Sequence, residues 1–319
     1  MTIAIAGAGA FGTGLAVSLA NKGPVTLWMR DESVAVDLAK TRVTGKLSGI
    51  RLSQNIAITA DLDTVFAADT ILLAIPAQQI RGFVETHRER LAGKSVVSCA
   101  KGIDLTTLTG TATAISDLAP DATAAVLTGP SFAIDIANNL PTALTLACAN
   151  ADRGQTLQQD LSTGNLRIYR TTDVIGAELG GSLKNVMAIA CGACIGDSMG
   201  ESARAALMTR GMAEMMRLAE ALGGRAETLM GLSGFGDLVL TCTSEKSRNY
   251  RYGLALGRSE PFDTAITVEG VATTHAVARL ARERGIDMPI VTALAGILAK
   301  KASVAEAIQW LFSRSLKEE

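Results

Sequence analysis

Short apolar runs recur through the first half of the chain, each closed by small or turn-forming residues. Thr2 to Ala6 is the first; Gly7-Ala8-Gly9 ends it, and Ala10 to Asn21 follows as a helix whose small residues suit close packing on a sheet. Val25 to Trp28, Ile56 to Thr59, Thr70 to Ile75, Ser95 to Cys99 and Ala124 to Leu127 continue the series as strands, with a helix expected over Gln78 to Arg90. Thr142 to Ala147 and Leu166 to Tyr169 add two strands at an edge of mixed direction. Alternation of this kind predicts an α/β fold, a mostly parallel sheet with helices on both faces.

After about Asp173 the texture changes. Segments 174–195, 201–223, 263–284 and 290–317 read as helical, joined by loops such as Gly231 to Gly236, and no further strand is expected. The pattern divides the chain into an N-terminal sheet domain, residues 1–175, and an all-helical C-terminal domain, residues 176–319, with the boundary near 172–180.

Composition narrows the class. The 319 residues are 48% hydrophobic and 19% charged, which excludes disorder and allows a substantial core. Thirty basic and 31 acidic side chains nearly cancel, and no Lys/Arg run marks a nucleic-acid footprint. Cys191 and Cys194 form a CxxC, but with two histidines in the chain and no second cysteine pair a zinc site lacks ligands, so no metal is expected. Cys99, Cys148, Cys191, Cys194 and Cys242 read as buried small hydrophobes. The first residues run straight from strand to glycine turn, unlike a signal peptide, and no uncharged run is long enough for a membrane span; a reduced, cytoplasmic protein is expected.

Gly7, Gly9 and Gly12 form GxGxxG directly after the first strand and open the first helix. In a dinucleotide-binding (Rossmann-type) turn the first glycine permits the bend, the second admits the pyrophosphate, and the third lets helix and strand pack closely. Alone the motif is weak in a chain with 31 glycines, but its place between two strands favours a dinucleotide. After the second strand the order is Trp28-Met29-Arg30-Asp31. Arg30 would pair with the extra phosphate of NADP(H), the preferred reading; Asp31 keeps NAD(H) open, and either side chain could face solvent.

Several polar positions look costly. Lys101 follows a strand at what should be the ligand-facing end of the sheet, or marks a plain Lys-Gly turn. Gly129-Pro130-Ser131-Phe132 offers backbone N–H groups and a hydroxyl near the same crevice. Lys184 and Asn185 interrupt the small-residue segment GGSLKNVMAIACGAC. A lysine there snorkels to water, pairs with an acid, or faces a cavity as a proton donor. Asp237 and Thr241 share a face if Asp237 opens a helix, and Arg248 with Asn249 offers a donor fork and an amide suited to phosphate or carboxylate. Glu269 could be an ordinary first-turn acid.

These motifs, in order, resemble the bacterial-type NAD(P)-dependent glycerol-3-phosphate dehydrogenases along the whole chain: GAGAFGT, AKG around Lys101, GPSFA from Gly129, KNVMAIACG, GLSGFGDLVLTCTS, SRN and VEG. The resemblance implies hydride transfer between a nicotinamide and C2 of glycerol 3-phosphate or dihydroxyacetone phosphate, supplying phospholipid synthesis. It implies Lys184 as general acid/base, Asp237 as the acid that orients it, and Thr241 beside them. Lys101 would touch substrate and cofactor, Gly129 and Ser131 the substrate, and Ser247, Arg248 and Asn249 the phosphate. Ala10, Phe11, Arg30, Ala133, Arg248 and Glu269 match cofactor positions. Lys184 and Asn185 would then line the catalytic cleft. The chain departs from the family at Asp135, where a glutamate is usual, and at Ala10 and Phe11 in the glycine loop, changes that bear on cofactor preference. The expected partner is a small phosphorylated substrate, without nucleic acid or membrane insertion, and the expected assembly a homodimer. The competing readings are a hydroxy-acid dehydrogenase of the same architecture and a cofactor-binding protein without turnover.

Overall fold

A computed structural model describes residues 2–314. It forms two compact units, Met1–Glu178 and Leu179–Glu319. In the first, strands β1 (Ile3–Ala6), β2 (Val25–Trp28), β3 (Ile56–Thr59), β4 (Thr70–Leu73), β5 (Ser95–Ser98), β6 (Thr123–Thr128), β7 (Thr142–Ala147) and β8 (Leu166–Thr171) make one sheet. The order is β3-β2-β1-β4-β5-β6-β7-β8. Helices α1 (Ala10–Leu19), α2 (Glu32–Thr41), α3 (Leu62–Phe66), α4 (Ala77–His87), α5 (Thr111–Leu118), α6 (Ala133–Ala137) and α7 (Ala151–Leu161) fill the connections.

Strand neighbours in sequence send their side chains to opposite faces, as a two-residue period requires. Ile5 and Leu72 join one buried cluster with Leu15, Leu27 and Leu127, while Ala4, Ala6, Ile71 and Leu73 join another with Phe66, Val96 and Ile115. Both faces are therefore covered, which is why these strands read as continuous apolar runs. The strand expected to reach Ile75 stops at Leu73, because the chain then turns and Pro76 takes the N-cap position of α4.

The first six strands are parallel, β7 is antiparallel to β6, and β8 is parallel to β7. The connection, residues 129–141 with α6 inside it, starts β7 at the end of the sheet where β6 stops.

The second unit contains helices and, among the described residues, no named strand. Helix α8 (Val174–Gly196) carries the chain into it, followed by α9 (Glu201–Ala221), α10 (Ala226–Leu229), α11 (Asp237–Cys242), α12 (Arg248–Gly257), α13 (Glu269–Arg284), α14 (Pro289–Leu298) and α15 (Val304–Phe312). Helix α8 is long and apolar enough to cross a membrane by length and composition, with Glu178 and Lys184 inside it, but 83% of its most apolar window is buried within the fold. It is the core helix of this unit. Gly192 of α8 and Gly253 of α12 bring the two backbones together, since a Cβ at either would collide with the other helix's carbonyls.

Three expectations in this half are corrected. The glycine loop 231–236 is a single π turn at Leu232–Gly236 that runs directly into α11. The helix expected from 263 begins at Glu269, after turns at 264–266. The helix expected over 290–317 is two: Lys300 adopts φ +56°, which ends the first, and Ser303 with Glu306 forms a capping box that starts the second. Residues 315–317 of that expectation lie outside the described residues.

Candidate active site

In the sheet unit the glycine turn is shaped for a close ligand. Gly7 sits at φ +121°, donates its N–H to the Trp28 carbonyl at 3.0 Å, and leaves no room for a Cβ beside the Ala74 carbonyl. Gly9 is the N-cap of α1 without a side-chain cap, the first turn holds no acid, and the space beside its Cα is open. The N–H groups at this helix start are thus available to an anion, and a dinucleotide pyrophosphate fits the cradle. Ala10 and Phe11 are the first two residues of α1, both half-buried.

Around the ends of β5 and β6, Lys101, Gly129 and Ser131 gather. The Gly129 carbonyl, on a buried residue at φ +132°, accepts from Lys101 Nζ at 2.8 Å and from the Ser131 hydroxyl at 3.2 Å. Lys101 Nζ also lies 6.0 Å from the Phe11 ring centroid, within cation–π range. Ala133 opens α6, and its carbonyl packs against Gly14 of α1. Asp135 lies in the first turn of α6.

Arg30 and Asp31 separate in role. Arg30 is exposed after β2. Asp31 is the N-cap of α2 and accepts from the Ser33 hydroxyl at 2.7 Å and the Val34 N–H at 3.1 Å. Those bonds, the Ser33 one foremost, hold its carboxyl below the usual carboxylate value.

In the helical unit, Lys184 is buried and its Nζ donates to Asp237 Oδ1 and, at 2.8 Å, to Thr241 Oγ1. Asp237 opens α11 and Thr241 lies one turn on, so both face Lys184 from one side of that helix. The Asp237 side chain is 0% exposed, which makes this a desolvated ion pair.

A second polar chain runs beside it. Asn249 Nδ2 donates to Asn185 Oδ1 at 2.9 Å, and Asn249 Oδ1 accepts the Gly270 N–H at 2.9 Å. Asn185 thus has a defined partner, and Glu269, half-buried at the start of α13, is held next to it through Gly270. Ser247 caps α12 by accepting the Tyr250 N–H at 3.2 Å, and Arg248 follows, exposed.

Sequence reasoning missed Gly270, Glu178 and Glu214. Glu214 of α9 accepts the Ile290 N–H at 2.7 Å and the Val291 N–H at 3.3 Å, capping α14 from another helix. The five cysteines are buried and free, and burial pushes the Cys99 thiol up to about 12 and the Cys194 thiol to about 11. Among the described residues no group of three or more His, Cys, Asp or Glu could hold a metal.

The sheet with its glycine turn and the helical unit with its buried lysine–carboxylate pair define the two-unit nicotinamide-dependent dehydrogenase class. Comparison with known proteins is more specific. The N-terminal model of the NAD-dependent glycerol-3-phosphate dehydrogenase family matches residues 2–153, and its C-terminal model residues 173–309. The glycerol-3-phosphate dehydrogenase (NAD(P)+) of Ruegeria sp. (strain TM1040) is 56% identical over 320 residues, covering 100% of both chains. That of Paracoccus denitrificans (strain Pd 1222) is 57% identical over 319 residues, again covering 100% of both. The crystal structure of glycerol-3-phosphate dehydrogenase from Coxiella burnetii superposes with a TM-score of 0.91 at 35% identity, over 98% of this chain and 99% of that one. The chain belongs to the NAD-dependent glycerol-3-phosphate dehydrogenase family.

Proposed function

We propose that the protein interconverts dihydroxyacetone phosphate and sn-glycerol 3-phosphate with NAD(P)(H), using Lys184 as the general acid/base. The observation that carries this reading is the buried contact of Lys184 with Asp237 and Thr241 in a chain of this family. Asp237 stabilises the lysine as an ammonium, and Thr241 fixes its direction. In the reducing direction Lys184 donates a proton from Nζ to the C2 carbonyl oxygen; in the oxidising direction the neutral amine takes the hydroxyl proton.

A nicotinamide dinucleotide, when bound, supplies or accepts the hydride. Gly7, Gly9, Ala10, Phe11 and Gly12 would hold its pyrophosphate at the start of α1, with Ala133, Arg248 and Glu269 as further contacts. NADP(H) is the preferred form in this reading: Asp31 is engaged as a helix cap, and Arg30 is the exposed cation at the end of β2. Ser247, Arg248 and Asn249 would bind the substrate phosphate, with Lys101, Gly129 and Ser131 around the remainder. The enzyme would act as a cytoplasmic homodimer and supply glycerol 3-phosphate for phospholipid synthesis.

The test is NADPH absorbance on adding dihydroxyacetone phosphate, with NADH in parallel and Lys184→Ala as control. Oxidation that collapses in the variant is expected. Saturable cofactor binding with no substrate-dependent oxidation would overturn the reading, and full activity of the variant would remove the role of Lys184. Light scattering checks the dimer.

A further inference from the structure

The start of α5 is capped from far away in sequence. Gly110 occupies its N-cap position and has no side chain to accept the first N–H groups. The Glu178 carboxylate takes that place. It accepts the Ala112 N–H, the Thr113 hydroxyl at 3.0 Å and the Thr111 hydroxyl at 3.5 Å. Any side chain at position 110 would collide with it. Burial pushes the Glu178 carboxyl up to about 7, against donors that pull it down. A cap alone needs no such burial, because Ser, Thr, Asp or Asn at the N-cap would satisfy the same groups locally.

The contact continues from α5 to the loop that presents Lys101. Thr111 Oγ1 lies 2.6 Å from Ser98 Oγ at the end of β5, and Ser98 Oγ accepts the Ala100 N–H at 3.3 Å. Ala100 immediately precedes Lys101. On the other side, Gly110 forms an antiparallel bridge with Ile103, two residues past Lys101. Ser98, Thr111 and Glu178 are all buried. The backbone around Lys101 is therefore held before and after the lysine by groups that converge on one carboxylate.

We propose that Glu178 is a positioning residue for Lys101, acting through Thr111, Ser98 and Gly110 to fix the loop from which that lysine reaches its ligands. This rests on the assignment of Lys101 to substrate and cofactor in the proposed function. Glu178 lies on the helix that carries Lys184, but its carboxylate acts on the Lys101 loop and not on reacting atoms.

The experiment is a double-mutant cycle in the full-length protein: wild type, Lys101→Ala, Glu178→Gln and the double variant. For each, KM for dihydroxyacetone phosphate and for NADPH, kcat and the thermal midpoint are measured. Glu178→Gln is expected to raise KM for dihydroxyacetone phosphate about 10-fold with a smaller change in kcat, as for a displaced binding group. In the Lys101→Ala background it should change KM no further. Ser98→Ala breaks the same link while leaving the cap in place. It should reproduce the KM rise and its absence beside Lys101→Ala, and it carries the test alone if Glu178→Gln does not fold. Equal losses in both backgrounds would overturn the proposal and leave Glu178 as a helix cap. Lys101→Ala with wild-type KM values would overturn it through the Lys101 assignment, whereas no turnover by the wild type would remove the dehydrogenase reading itself.

Discussion

Asn249 donates its side-chain N–H to Asn185 while the oxygen of the same amide accepts the Gly270 N–H, so the orientation of Asn249 is set by two partners of opposite polarity. In the proposed site an amide held this way would offer its N–H side to a phosphate oxygen. Asn249→Asp keeps the acceptor toward Gly270 and puts a second oxygen against Asn185 Oδ1. The expected result is a stability loss of about 1–3 kcal/mol from the unsatisfied buried group. KM for dihydroxyacetone phosphate should rise at least tenfold, about 1.4 kcal/mol of lost binding. Urea denaturation and steady-state kinetics check both, and a KM unchanged in a folded variant would remove Asn249 from the phosphate site.

Substitutions in the Lys184–Asp237 pair can separate the proposed catalytic role from folding. Lys184→Ala strands a fully buried carboxylate, with an expected cost of about 3–5 kcal/mol, alongside a fall in kcat of about 10²–10⁴. Replacing both partners, Lys184→Met with Asp237→Leu, removes the uncompensated charge and should return most of the stability while leaving kcat at the single-variant level. If stability and kcat recover together, the lysine is not the proton carrier.

The sequence made some of this visible and hid the rest for physical reasons. Strands β2, β3 and β7 agree with the expected bounds to the residue, because each is a short, largely apolar run bounded by turn-forming or polar residues. Helices α2 and α7 went unread, since each buries a thin stripe: Ala35 and Leu38 in one, Gly154, Leu157 and Leu161 in the other. The break before α15 was legible in Ser303-Val304-Ala305-Glu306, a capping-box spacing that the apolar run around it concealed. In the site, the four-residue spacing of Asp237 and Thr241 indicated a shared face, and Lys184 stood out by its apolar surroundings. Asn185, Glu178 and Glu214 have partners 64, 66 and 76 residues away, and no local pattern encodes which distant N–H or amide a buried polar group will meet.

Arg30 is the exposed cation beside a carboxylate already committed to capping α2, so Arg30→Ala tests cofactor choice directly. Loss of a guanidinium–phosphate contact of about 1.5–3 kcal/mol should raise KM for NADPH by roughly 10- to 100-fold and leave KM for NADH nearly unchanged. Equal effects on both cofactors would mean that Arg30 does not discriminate between them. High salt should narrow the proposed preference for NADPH, because Arg30 is exposed and its pairing with a phosphate would be screened.

Glu214 gives the helical unit a pH-dependent stability of defined sign. Burial pushes its carboxyl up to about 7 from 4.5, opposed by the N–H groups of Ile290 and Val291 and by Arg217, with Asp287 adding to the rise. A carboxyl whose folded value is raised binds more protons in the folded state between those two values. Its contribution to stability is therefore fully present below about 4.5 and is lost as pH rises through 7. Glu214→Gln keeps an oxygen for the Ile290 N–H and abolishes the titration. Between pH 5 and 8 the wild type should lose about 1–3 kcal/mol relative to the variant, with the difference levelling off above pH 8. Glu178 titrates with the same sign in both proteins and so cancels in the comparison. Denaturation midpoints that run parallel across this range would mean that Glu214 holds α14 without a change of charge.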